Sequence, residues 1–167
     1  DVTCGSGRKI WWVCKKGHEW DSKIADRSKG SGCPHCCNRR ILVGYNDLAT
    51  THPEIAKHWH PTFNGDLTPI DVGIGSARRV WWQCNKHSEH HWETTVNNIQ
   101  RARGCPICTH IKVLPGYNDL ATINPELAKE WHPTLNGALT PFDVTCRSSK
   151  KVWWECRKGH EWEAPTS

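Results

Sequence analysis

Four side chains that bind soft divalent metals, Cys14, His18, Cys33 and Cys36, stand in two close pairs, and the set returns as Cys84, His90, Cys105 and Cys108. Three thiols and one imidazole at Cys-x3-His and Cys-x2-Cys spacing make the ligand set of a closed tetrahedral zinc site. The knuckle Cys14-Lys15-Lys16-Gly17-His18 is lengthened in the second copy to Cys84-Asn85-Lys86-His87-Ser88-Glu89-His90. Counting back from the closing Cys pair selects His90, rather than His87 or His91, as the counterpart of His18. A third copy begins with Cys156 and His160, half a site within this sequence. Its closing Cys-Pro-x-Cys is expected in sequence beyond Ser167, about fifteen residues after His160.

A rival pairing joins Cys33 and Cys36 to Cys84 and His90, and Cys105 and Cys108 to Cys156 and His160. Pairing inside the repeat closes a gap of fourteen residues instead of forty-seven. That difference is worth about 1 kcal/mol of loop entropy, so the within-repeat sites are expected.

The ligands sit inside a longer repeat. Cys14 to Cys84 is 70 positions and Cys84 to Cys156 is 72. All eleven tryptophans fall at repeat positions: three Trp-Trp pairs before the knuckle, three His-x-Trp after it, and Trp59 and Trp131 between hairpins. Such periodicity marks a tandem array in which each unit has its own core. The expected units are 1–44, 45–116 and 117–167, and both ends cut through a repeat, as in a fragment of a longer array. A unit of this size buries a thin apolar core and needs a staple, which the metal supplies.

The elements that must position the ligands can be read around them. Arg8 to Cys14 is rich in β-branched and aromatic residues and leads through a Lys-Gly turn to Trp20, Ser22 and Ile24, a β-hairpin whose turn carries two ligands. The second hairpin is expected from Arg78 to Cys84 and from Trp92 to about Ile99. Gly-rich turns then lead to the Cys-Pro-x-Cys pairs, which are expected to begin a short helical segment. Asn46-Asp47-Leu48-Ala49-Thr50 and its copy at 118–122 predict a short capped helix. A second helix is expected over His52 to His58 or Trp59, and from Asn124 and Pro125 through Trp131, with Pro61 and Pro133 stopping it. Thr68-Pro69-Ile70-Asp71 predicts a brief capped turn. In the Trp-Trp pairs, Trp12 shares parity with Cys14, whereas Trp11, Trp81 and Trp153 are expected to pack against the helices bearing Trp59 or Trp131. Cys4 and Cys146 replace Ile74 and read as small buried apolar side chains, and Cys37 is the one spare thiol placed to compete for metal. His35, His58, His60, His110 and His132 read as surface or packing histidines.

The formal net charge is +5. A site with three thiolates and one dication carries about −1, so two filled sites leave roughly +3. The cations Arg8, Lys9, Lys15, Lys16, Arg27, Lys29, Arg78, Arg79, Arg101, Arg103, Lys150 and Lys151 fall in the hairpin halves, and the connectors between them carry many of the acids. Knuckle spacing and the lack of a signal-like or membrane-length apolar stretch favour an intracellular, reducing compartment, with no membrane partner.

These residues together resemble a widespread repeat family described as zinc ribbons of the treble-clef type. Its unit runs from Asn-Asp-Leu-Ala through Pro-Glu-x-Ala-Lys-x-Trp-His-Pro, Leu-Thr-Pro and Trp-Trp-x-Cys to His-x-Trp and Cys-Pro-x-Cys. Matched that way, the chain holds the back half of one unit up to Cys36, a whole unit from Asn46 to Cys108, and the front of another from Asn118. The resemblance implies a fold of small α+β zinc-stabilised modules, tandem treble-clef-like repeats. It also implies nucleic-acid binding by company, because members occur in association with nuclease domains. The lengthened knuckle from Cys84 to His90 departs from the family pattern.

The expected function is therefore that of a zinc-binding repeat that contacts DNA or RNA, chiefly phosphates, through the basic residues named above. Exposed tryptophans at positions 11, 81 and 153 would instead serve as stacking platforms. One alternative is a structural or protein-interaction repeat with purely structural zinc; another is a targeting module for a nuclease domain outside these residues. Hydrolysis by zinc-bound water is not expected, since four protein ligands leave no open coordination position and no carboxylate is placed as a base; nor is a small-molecule substrate expected.

Overall fold

The computed structural model describes residues 2–101 and 104–167. The chain forms two compact units, Asp1–Asn85 with Glu93–Gln100, and Lys86–Trp92 with Arg101–Ser167. No described helix is long and apolar enough to cross a membrane.

Three two-stranded antiparallel hairpins carry the repeats: β1 (Lys9–Val13) with β2 (Glu19–Lys23), β3 (Arg79–Gln83) with β4 (His91–Thr95), and β5 (Lys151–Glu155) with β6 (Glu161–Pro165). Trp12 faces Trp20 across the first hairpin and Trp154 faces Trp162 across the third. The first turn is closed by Cys14 N–H to His18 O at 3.0 Å, which continues the hairpin register, and by Gly17 N–H to Cys14 O at 2.9 Å. Gly17 sits at φ 81°, a left-handed conformation that a side chain would oppose. The third knuckle repeats both bonds at Cys156, Gly159 and His160.

In the first two hairpins the second strand is shorter than its sequence suggests. β4 stops at Thr95 and the chain winds into α4 (Val96–Ile99), as β2 gives way to α1 (Ile24–Ser28). Ile24 N–H and Ala25 N–H reach back to Arg8 O and Ser6 O, and Val96 N–H and Asn97 N–H to Arg78 O and Ser76 O. The helical turn thus finds partners for two of its otherwise orphaned donors on the opposing strand's approach.

The Cys-Pro-x-Cys pairs do not begin helices. Each forms a single turn, with Cys37 N–H to Cys33 O and Arg39 and Arg40 N–H to Pro34 O, and likewise Thr109 to Cys105 and Ile111 and Lys112 to Pro106. Asn38 (φ 57°) and His110 (φ 59°) then enter the left-handed region and end it.

Between hairpins lie the connectors. In unit 1, α2 (Leu48–Thr51) is capped by Asp47 and α3 (Pro53–Ala56) starts at proline; in unit 2, α5 (Leu120–Ile123) is capped by Asp119 and α6 (Pro125–Ala128) by Asn124. The second helices end after one turn, short of Trp59 and Trp131. These tryptophans instead form isolated antiparallel bridges to Trp82 and Trp154. His60 N–H donates to Trp81 O and Gln83 N–H to His58 O, so the segment after α3 lies along the outer edge of β3. Asn64 completes the pairing with its side chain, accepting from Trp81 N–H at 2.7 Å and donating to Trp81 O at 2.9 Å. His132, Glu130 and Asn136 do the same for Trp153 and Glu155 on β5.

This pairing corrects the reading of the Trp-Trp motif. The connector tryptophan meets the second member of the pair, Trp59 edge-on to Trp82 at 5.4 Å and Trp131 to Trp154 at 5.6 Å. Trp82 and Trp154 are buried, whereas Trp81 is half-buried, Trp153 is 37% exposed and Trp11 is 74% exposed. In unit 2 the core is Leu120, Val144, Val152 and Trp154, with Leu127, Trp131, Leu139, Cys146 and Ala164 packed against it. The matching residues of unit 1, Leu48, Val72, Val80 and Trp82, are equally buried. Cys146 thus packs as expected, but Cys4 is exposed.

Asp47 and Asp119 are fully buried. Burial pushes each carboxyl up, but Thr50 hydroxyl and amide and Gly44 N–H on Asp47, and Thr122 and Gly116 on Asp119, hold both below the ordinary carboxylate value. Because the folded value is depressed, the stabilisation is full above the ordinary carboxylate pKa of about 3.9 and is lost as pH falls through the lower folded value. Asp119→Ala is expected to destabilise the chain by about 1–2 kcal/mol at neutral pH in denaturant titration, a difference that narrows in acid.

Candidate metal centres

In unit 1 the hairpin knuckle and the following Cys-pair turn bring Cys14, His18, Cys33 and Cys36 together, all four ligand atoms within 4.8 Å of one another. Cys84, His90, Cys105 and Cys108 converge in the same way. The within-repeat pairing is therefore the one adopted.

Zinc with Zn–S of about 2.3 Å and Zn–N of about 2.05 Å in tetrahedral geometry sets two sulfurs about 3.8 Å apart and a sulfur and nitrogen about 3.6 Å apart. Cys14 Sγ and Cys36 Sγ are 3.8 Å apart, and His18 Nδ1 lies 3.6 Å from Cys33 Sγ and 3.3 Å from Cys36 Sγ. His90 Nδ1 lies 3.7 Å from Cys105 Sγ and 3.3 Å from Cys108 Sγ. A disulfide would need sulfurs about 2.05 Å apart. Two Cys3His sites thus have the donor set and spacing for zinc, and in both the imidazole presents Nδ1.

The surroundings favour the metal-binding form of Cys14 and His90 and oppose that of Cys36. Burial pushes the Cys14 thiol up, but backbone N–H groups of Lys16 and His18 in the knuckle hold it below its ordinary value. Cys36 is pushed up by burial and then by the neighbouring thiols Cys33 and Cys14. Three crowded sulfurs cannot all carry charge without a cation among them, and a dication releases their protons. Burial, with His87 beside it, pushes His90 down, keeping the imidazole neutral as a ligand must be.

A phrase after each site supports it. Tyr45 packs edge-on to the His18 ring at 4.1 Å, and Tyr117 to His90 at 4.2 Å. Asn46 accepts from Leu42 N–H and donates to His35 O and Arg40 O; Asn118 accepts from Leu114 N–H and donates to Ile107 O and Lys112 O. Tyr-Asn-Asp-Leu therefore braces the ligating histidine, stitches down the Cys-pair turn, caps the next helix and enters the next core. Beyond the cap, the asparagine's role is a finding of the structure, and its repetition in both copies is the sequence signal for it.

His60 and His132, read as surface or packing residues, are buried. The Nδ1 of His60 accepts from Thr62 and Phe63 N–H, and that of His132 from Thr134 and Leu135 N–H. They serve as turn caps rather than ligands. Cys37 stays outside the quartet, its thiol exposed and directed at Pro34 O. Cys156 and His160 form the same knuckle as Cys14 and His18 but join no cluster of three or more ligands among the described residues. His87 and Glu89 stand beside His90, and the His87 ring stacks on it at 4.6 Å.

A family model described as Probable Treble clef zinc finger domain matches residues 1–39, 55–111 and 127–167. The chain belongs to this family. No curated protein matches it. The family description agrees with the geometry: a hairpin knuckle and a second Cys pair clasp one metal.

The basic residues named from the sequence fall into two groups. Lys9 pairs with Asp21, Arg79 with Glu93 and Lys151 with Glu163, each across its own hairpin. Acids therefore lie within the hairpins as well as in the connectors. The Arg27 guanidinium lies over the rings of Trp12 and Trp20 and donates to Ser31 O, and Lys16 donates to the Tyr45 hydroxyl. Arg8, Lys15, Lys29, Arg78, Arg101 and Lys150 are exposed and have no carboxylate at ion-pair distance among the described residues. Arg103 lies outside the described residues.

Native mass spectrometry is expected to find two tightly held zinc ions per chain, and Cys33→Ser or Cys105→Ser to reduce the count to one. Acidification is expected to release both as the thiolates are reprotonated.

Proposed function

We propose that this chain is a repeat module in which zinc is structural and the folded hairpins bind nucleic acid through phosphate contacts. The observation carrying this reading is the recurrence, among the described residues, of an exposed cation outside any close ion pair at the approach to each hairpin, Arg8, Arg78 and Lys150, with Asp71 and Asp143 only at longer electrostatic range of the last two, while the next residue of each basic pair meets a cross-strand carboxylate. Lys15 at the first knuckle and Lys29 and Arg101 beyond their helical turns add to this set. A few spread charges give weak, salt-sensitive binding per module, and tandem modules gain through avidity. With so modest a charge, sequence-specific base readout is not part of the proposal.

Four protein ligands fill the zinc sphere, so the metal has a folding role in this reading and no hydrolytic one. The ten cysteines, none of them in a disulfide, suit a reducing compartment. A second reading, a protein-interaction repeat, draws on the exposed apolar side chains Phe63, Ile70, Leu135 and Phe142 of the connectors.

Binding of fluorescein-labelled single-stranded DNA, duplex DNA and RNA at two salt concentrations separates the two. Affinity is expected to fall with salt, and each of Arg8→Gln, Lys15→Gln and Arg78→Gln to lower the slope of log affinity against log salt by about one, with zinc content unchanged. Absence of salt-sensitive binding to all three probes would favour the protein-interaction reading.

A further inference from the structure

A recess recurs where the turn after a Cys pair meets the approach to the next hairpin. In unit 1 it holds about 680 Å³, with Asn38 and Ile41 on one wall and residues from 72–78 on the other. In unit 2 the matching recess holds about 400 Å³, between His110 and Val113 and residues from 144–150. Val72-Gly73-Ile74-Gly75-Ser76-Ala77-Arg78 aligns with Val144-Thr145-Cys146-Arg147-Ser148-Ser149-Lys150, so the larger recess has glycines where the smaller has Thr145 and Arg147. Each recess is built from two successive repeats and includes one of the cations assigned above to phosphate, Arg78 or Lys150.

The polar groups of the first recess are mostly donors. Asn38 Oδ1 accepts from Asn46 Nδ2 at 3.2 Å, which commits the oxygen and leaves the amide N–H groups. Ser76 Oγ accepts from Arg78 N–H at 3.2 Å and keeps its own proton to give. Asp71 Oδ2 accepts from Thr68 N–H and hydroxyl, leaving Oδ1 as an acceptor and a negative charge that opposes a second phosphate here. His52 is held at both ring nitrogens: Nδ1 donates to Thr51 Oγ1 at 2.9 Å, and Nε2 accepts from Gln100 Nε2 at 3.2 Å. It therefore brings a fixed flat ring to the recess, beside the apolar Ile41 and Ile74. Donors, one acceptor, a fixed ring and apolar side chains suit the edge and faces of an unpaired nucleobase. A base in a duplex has its edge paired and its faces stacked, and could enter only by giving up both.

We propose that the recess of unit 1, and less readily its smaller copy in unit 2, receives an unpaired base of a single-stranded nucleic acid whose neighbouring phosphate lies on Arg78 or Lys150. This rests on the phosphate-binding reading above and gives it a preference for single strands without a preference for base identity. A recess of 680 Å³ is within the size range of small-ligand sites, about 300–1,000 Å³.

The test measures binding of the zinc-loaded 167-residue chain to fluorescein-labelled single strands and to abasic copies that keep every phosphate, each as DNA and as RNA. In at least one sugar form the intact strand is expected to bind about tenfold more tightly than its abasic copy, with the same dependence on salt. Gly75→Phe is expected to remove most of that ratio while two zinc ions are retained. A Cβ at Gly75 meets no heavy atom within 4 Å and its backbone is not left-handed, so the ring is introduced without strain at its base. Asn38→Asp keeps the acceptor for Asn46, exchanges the donor for an oxygen and is expected to lower the ratio as well; aspartate tolerates the left-handed backbone there. Equal, salt-sensitive binding of intact and abasic strands would overturn the proposal and leave the phosphate reading standing. No salt-sensitive binding of either would overturn both. An undiminished ratio in zinc-loaded Gly75→Phe would overturn the proposal, and if that variant fails to fold, an undiminished ratio in Asn38→Asp would do so.

Discussion

Tetrahedral chelation by a knuckle and a turn is the constraint on which the rest of each module depends. Neither the hairpin nor the Cys-pair turn could persist alone: two five-residue strands are marginal in water, and the turn after Cys33 has no helix to extend it. Holding sulfurs near 3.8 Å and imidazole Nδ1 within 3.3–3.6 Å of two of them fixes both pieces at once. It also converts three crowded thiols, a source of repulsion if ionised alone, into a source of cohesion. The knuckle amides directed at Cys14 and the tyrosine packed on His18 act on the same centre from outside.

Around this clasp the repeat is organised as a chain of dependences. Asn46 holds the Cys-pair turn, Asp47 starts α2 and Leu48 enters a core whose other members lie after the helices. A buried asparagine and a buried aspartate in adjacent positions would be costly if unsatisfied; here their hydrogen bonds are what couple a metal site to the apolar core that follows it. Metal and core are thus not separate sources of stability within a unit.

The connectors contribute differently. Their helices are single turns, too short to be stable by themselves, and their weight falls on the residues after them. Trp59 and Trp131 carry the packing, His60 and His132 cap the following turn, and Asn64 and Asn136 substitute a side-chain amide for a strand neighbour. An amide presents one donor and one acceptor with the spacing of a peptide group, so it can pair with both backbone groups of one edge residue. The hydrophilic look of Trp-His-Pro-Thr-x-Asn-Gly conceals a piece of sheet.

The sequence alone determined the metal sites, because ligand type and spacing are local and were repeated twice, with the loop lengths between pairs favouring closure within a repeat. It also determined the hairpins, the presence of a capped turn at Asn-Asp, and the repeat period, leaving to the structure that the aspartate is the cap. What it left to tertiary structure were features decided by partners distant along the chain. Helical spacing placed Trp59 and Trp131 on helices, but their pairing with β3 and β5 releases them after one turn, since edge hydrogen bonds and an aromatic contact outweigh continuing a helix toward proline. The same pairing decides which tryptophan of each pair is buried. The basic pairs looked uniform as sequence; only the cross-strand register brought Asp21, Glu93 and Glu163 to one lysine or arginine of each and left its neighbour to solvent. Spacing can specify what sits on one knuckle, whereas burial and pairing depend on which surface the chain returns to.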